Sequence, residues 1–128
     1  MSASPRGASR AAAPERLVHV GYALPRKGLP AAVSFRHWVT VALHGAGRRE
    51  SAELSIRLVG ASEGRRFNRT WRGNDYATNV LSFPVEWPPG VSAPLLGDIA
   101  LCAPVVLREA REQGKRARDH FAHLTVHG

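Results

Sequence analysis

Four arginines, Arg65, Arg66, Arg69 and Arg72, crowd into one short stretch of the chain. On a helix, positions 65, 69 and 72 fall at i, i+4 and i+7 and share one face. A guanidinium can donate two parallel hydrogen bonds to a phosphate. Such a face could therefore grip a polyanion, although spacing alone also describes a solvated helix surface. The segment Trp71-Arg72-Gly73-Asn74-Asp75 closes the stretch. An aromatic ring, a cation, a glycine turn and two short polar residues are the parts of a site that stacks a base and holds a phosphate.

Three histidines, His120, His123 and His127, sit near the end of the chain. On a helix all three lie within about 60° of one another. His123 and His127 are four apart, a spacing with which two imidazoles can share a metal ion. No Glu follows His123, so the HExxH pattern of metalloproteases is absent. For a histidine triplet alone, a polar helix face is the more common explanation. Asp98 stands inside the apolar run LLGDIALC. It sits at an exposed edge or is buried with a partner, because an unpaired buried carboxylate is costly. From there it could orient a metal ligand or simply bond nearby backbone.

The elements that must position these groups follow from hydropathy patterning. Residues 17–24 alternate as a strand. Residues 31–43 place Phe35, Trp38, Val39 and Ala42 on one helical stripe. Residues 53–59 alternate Leu54, Ile56 and Leu58 as a second strand. Ser62 reads as the N-cap of a helix that runs to about Trp71 and stops at Gly73. Residues 77–83 are rich in strand formers and closed by Pro84, and the proline-rich stretch 84–94 reads as a loop. Residues 95–102 form another strand. Pro104 opens a helix that ends at Gly114, and residues 117–128 begin a last one. The order β-α-β-α-β-β-α-α predicts an α+β (mixed α/β) domain around one sheet.

The chain has 128 residues and a formal charge of +8, from 18 Lys and Arg against 10 Asp and Glu. That length fits a single domain with a real core. All the cations but Lys27 and Lys115 are Arg, and the positive field suits a nucleic-acid partner. The lone cysteine, Cys102, excludes an intrachain disulfide and favours a reducing, cytosolic setting. The longest apolar stretch, residues 94–107, is broken by Gly97 and Asp98 and falls short of the ~20 residues of a membrane span. Residues 1–14, rich in Ala, Ser, Pro and Arg, are expected to be a disordered tail preceding a domain over 15–128.

Arg72-Gly73-Asn74-Asp75, then Thr78-Asn79-Val80-Leu81-Ser82-Phe83-Pro84, then Leu96-Gly97-Asp98-Ile99, then His123 to Gly128 resemble the YbeY family of endoribonucleases and rRNA maturation factors. The likeness runs from about Ala52 to the last residue. It implies a zincin-like fold with a zinc-containing cleft, cutting single-stranded RNA during small-subunit (16S) rRNA maturation and ribosome quality control in the cytoplasm. The implied partners are the small ribosomal subunit, a ribosomal protein and an assembly GTPase. The family signature HGxLHxxGYDH carries three zinc-binding histidines, and its first falls on His127. His120 and His123 precede it and are not family ligands. The family's arginine beside the metal cleft falls on Arg72, so Arg72 is the expected catalytic cation, with Arg65, Arg66 and Arg69 as further RNA contacts. The second and third histidines have no counterpart in the 128 residues. The domain is therefore expected to be incomplete at its C-terminus, to hold zinc weakly and to be inactive alone. The alternative is an RNA-binding assembly factor that does no chemistry; a metalloprotease-like zincin is disfavoured by the missing Glu.

Overall fold

The computed structural model describes residues 16–47, 51–85, 87–90 and 95–127. The expected tail, residues 1–14, lies outside them, as do part of the proline-rich stretch and Gly128. The elements are β1 (Arg16–Tyr22), α1 (Ala32–Gly45), β2 (Ala52–Val59), α2 (Ala61–Arg72), β3 (Val80–Val85), β4 (Leu95–Cys102), α3 (Ala103–Glu112) and α4 (Ala117–His127). The architecture is α+β, in the order that hydropathy predicts.

The sheet runs β1-β2-β4-β3. β1, β2 and β4 are parallel, and β3 joins β4 antiparallel at the edge. Alternation then sorts every strand residue to one of two faces. Ile56, Leu58, Ile99 and Leu101 meet Phe35 and Val39 of α1 and Phe121 of α4 in the main core. Phe35 and Phe121 are fully buried and pack edge to face, with ring centroids 6.1 Å apart. Arg118 of α4 lies over the Trp38 ring and donates to Ser34, which ties α4 to α1. The opposite face carries Val59 and Cys102, which pack with Val105 of α3 and Phe67 of α2 in a smaller cluster. Burial pushes the Cys102 thiol pKa up, which leaves it a small apolar filler.

Two local expectations are corrected. Ser62 is not the N-cap of α2. β2 ends at Val59, and the single extended residue Gly60 caps the helix with no side-chain bond. A one-residue strand-to-helix switch leaves Ser62 already inside the first turn. Pro84 does not close β3 either, since the strand starts late, at Val80, and continues through Pro84 to Val85. Asn79, just before the strand, keeps an in-register bond, its carbonyl accepting from the Cys102 amide, while its side chain reaches Glu109. At the other end β3 is an edge strand, and an edge has no second ladder for a proline to break.

Gly64 is the closest approach of α2 to the sheet. A Cβ built there would stand 2.9 Å from Cys102 Sγ and 3.2 Å from its Cβ. Helix propensity alone would favour Gly64→Ala by about 1 kcal/mol, but overpacking against a buried thiol costs about 1–3 kcal/mol. Gly64→Ala is expected to destabilise the domain in urea unfolding. Cys102→Ala should recover part of the loss when the two are combined.

Candidate nucleic-acid interface and active site

α2 is anchored from within and basic without. Gly64, Phe67, Asn68 and Trp71 face the sheet. Asn68 is buried and donates through Nδ2 to the Tyr76 carbonyl at 2.7 Å. Gly73 takes φ 74° and closes the helix with its amide on Arg69 O, while Asn74 N reaches Asn68 O. A left-handed C-terminal residue of this kind is the work of glycine. The turn doubles the chain back along the helix.

That return sets the electrostatics. Asp75 comes to rest against Arg65 and accepts two hydrogen bonds, at 2.8 and 2.9 Å; Arg69 stands 3.7 Å away. The Arg65 hydrogen bonds hold the Asp75 carboxyl below its usual range, and Asp75 in turn holds Arg65 above its own. Asp75 is therefore a counter-ion, and the expectation that it helps hold a phosphate is corrected. Its carboxylate would repel one. The four arginines are thus unequal. Arg65 is engaged and Arg69 shielded. Arg66 lies 3.9 Å from Glu63 and over the Phe67 ring. Arg72, exposed at the last helical position, has no ion pair among the described residues. Ser62, Arg65, Arg66 and Arg69 line a shallow depression of about 290 Å³.

The histidine stripe separates in the same way. His120 is not on a solvated face. Its side chain is 5% exposed, and Nε2 lies 2.9 Å from Glu109 Oε1. The same oxygen accepts from Asn79 Nδ2 at 3.0 Å. Facing a carboxylate, Nε2 carries the proton and donates it; Nδ1 is buried with no hydrogen-bond partner among the described residues. His123 is exposed. His127 belongs to α4 by its backbone, and its side chain lies outside what is described. Among the described residues, no three His, Cys, Asp or Glu side chains come together to hold a metal ion. These residues by themselves do not form a metal cage.

Asp98 fits neither sequence alternative. It is exposed, yet it stands on β4, an inner strand, opposite Ser55 on β2 and Phe83 on β3. A pocket of about 240 Å³ opens above it between the sheet and α2, with Phe67, Trp71 and Phe83 in its wall. Through the sheet, a second pocket of about 210 Å³ lies between α1, the last turn of α4 and the same strands. Phe83, Asp98 and Ile99 line both. The end of α2, through Trp71, and the last turn of α4, through Thr125 and Val126, therefore reach the same stretch of β3 and β4 from opposite faces of the sheet.

The profile of the family described as Endoribonuclease YbeY matches residues 30–128. A Stenotrophomonas maltophilia protein named endoribonuclease YbeY is 62% identical over 120 residues, 90% of this chain and 73% of the relative. A Xanthomonas oryzae protein of the same name is 60% identical over 115 residues, 87% of this chain and 70% of the relative. The solution structure of TM1509 from Thermotoga maritima shares the fold, with a TM-score of 0.54 and 19% identity over 88% of this chain and 69% of that one. The chain belongs to the endoribonuclease YbeY family. The match reaches back past the Ala52 at which the motif likeness begins, to take in α1.

Burial alone would push the Glu109 carboxyl up, but the hydrogen bonds from His120 and Asn79 outweigh it and its pKa is lowered. A lowered folded-state pKa stabilises the fold above the unfolded value, about 4.3 for Glu. That stability is lost as pH falls through the folded value. Glu109→Gln is expected to lower stability near neutral pH and to flatten the fall in stability below about pH 4.3. Urea unfolding from pH 3 to 7 measures both.

Proposed function

We propose that this protein is an endoribonuclease acting on single-stranded RNA, with a role in small-subunit rRNA maturation and ribosome quality control. The observation that carries the reading is the Arg72 guanidinium, which has no ion pair among the described residues and ends α2 next to the Trp71 that packs on Phe83 of β3. Family membership gives that arginine a reaction to serve. As a phosphodiester is attacked, negative charge builds on its non-bridging oxygens. The Arg72 fork can donate two hydrogen bonds to them, and such donors act most strongly on charge that develops in the transition state. Arg66 and Arg69, with Arg65 as far as Asp75 releases it, would contact phosphates farther along the strand.

His127 is proposed as one ligand of a zinc ion. Because residues 1–128 supply one of the three histidines of the family signature, they are expected on their own to bind zinc loosely and to cleave slowly. Tight one-to-one zinc in metal analysis of the 128-residue chain would contradict this. The proposed setting is the cytoplasm, with the small ribosomal subunit, a ribosomal protein and an assembly GTPase as partners. No helix among the described residues is long and apolar enough to cross a membrane. A second reading, RNA docking without chemistry, is favoured by the basic depression on α2, which needs no metal.

Filter binding and cleavage of single- and double-stranded RNA, with and without zinc, test the proposal. Single strands should bind more tightly than duplexes. Arg72→Ala should reduce zinc-stimulated cleavage about 100-fold. It should also lower the salt dependence of binding by about one unit in log–log slope. Preference for duplex RNA, or cleavage indifferent to Arg72→Ala, would overturn it. Asp75→Asn releases Arg65 and Arg69 and is expected to tighten RNA binding and steepen its salt dependence. Unchanged binding would show that these two arginines do not meet phosphate.

A further inference from the structure

The pocket between α2 and the sheet has a floor and walls of different chemistry. Trp71 is 66% exposed, unusual for so large a ring, and its edge contact with Phe83 at 5.8 Å holds it beside the opening. Asp98 and Ser55 form the floor. They are register partners on adjacent parallel strands, on the face that also carries Phe83. Neither side chain makes a hydrogen bond or ion pair among the described residues, whereas the neighbouring Arg57 is taken up by Glu63 at 3.1 Å. In a chain of net charge +8, a carboxylate without a cation partner beside aromatic rings is conspicuous. At about 240 Å³ the pocket lies below the roughly 300–1,000 Å³ of small-molecule sites, which suits a single planar base.

We propose that this pocket is a base-reading subsite that takes a guanine from single-stranded RNA. The proposal rests on the RNA reading above and gives it a specificity. Guanine presents two adjacent N–H donors, N1–H and the N2 amine, beside the O6 acceptor. Asp98 offers two acceptor oxygens to the donors, and the Ser55 hydroxyl can donate to O6. Adenine offers a single amine to the carboxylate, and uracil sets its one N–H between two carbonyls that a carboxylate would repel. Trp71 supplies the stacking face. Arg72, the next residue and one step round the helix, is placed to take an adjoining phosphate.

The test uses labelled single-stranded RNA octamers of uridine, with one central position changed to guanosine, inosine or adenosine. Fluorescence anisotropy reads the affinity. Guanosine should tighten binding about tenfold over the all-uridine strand. Inosine, which lacks the N2 amine, should lose most of that gain. Asp98→Asn should erase the guanosine-over-inosine ratio while the all-uridine strand binds as well or better; Asp98 is exposed, and a thermal melt checks that the variant is folded. Trp71→Ala should weaken every strand about tenfold. Equal affinity for guanosine, inosine and uridine in the parent chain, or a ratio that survives Asp98→Asn, would overturn the subsite and leave RNA binding standing. Failure of the parent chain to bind any octamer would overturn the RNA reading and the subsite together.

Discussion

One carboxylate oxygen, Glu109 Oε1, holds three parts of the chain together. It accepts from Asn79, just before β3, and from His120, in the middle of α4, while Glu109 itself belongs to α3. Asn79 in turn accepts from the Cys102 amide at the β4–α3 junction. The group is partly buried, and a carboxylate drawn away from water is favoured only with its hydrogen bonds made. That requirement fixes where β3 begins and how α4 lies across the sheet. With Phe121 sealed against Phe35 one residue on from His120, the last turn of α4 is delivered beside Phe83 and Asp98. The placement of the His127 backbone depends on this bond set.

The second constraint is the turn after α2. Gly73 lets the chain reverse, Asn68 grips the returning backbone, and Asp75 then meets Arg65. A helix that reads as a uniform row of phosphate ligands is divided by that single acid. Its first turns carry arginines engaged by Asp75 and Glu63, and its end presents Arg72 with no ion pair among the described residues. The arginine freest to meet a phosphate therefore stands next to Trp71, at the end of the helix beside the pocket over Asp98.

Much of this was legible in the residues. The alternation of residues 95–102 and the stripe of Phe35 and Val39 define their elements because each buries one face, and burial imposes its period on sequence. The whole element order follows. What sequence hides is pairing across the chain. His120 reads as part of a histidine row because its partner, Glu109, is on another helix. Asp75 reads as a phosphate-site residue because only the Gly73 turn reveals that it faces backward. Pro84 reads as a strand end because its tolerance depends on β3 lying at an edge. Asp98 reads as edge or buried because a sheet face only partly covered by a helix, with an inner-strand carboxylate exposed on it, is a property of the packing. The Arg72 match came from motif likeness, since spacing alone puts Arg65, Arg69 and Arg72 on equal terms.

The proposed RNA path crosses the end of α2 where Trp71 packs on Phe83 of β3. Photo-crosslinking of single-stranded RNA containing 4-thiouridine, with the attached peptides sequenced by mass spectrometry, tests that placement directly. RNA bound there should give adducts on Trp71 or Phe83. Adducts confined to β1 or to the outer face of α3 would contradict it.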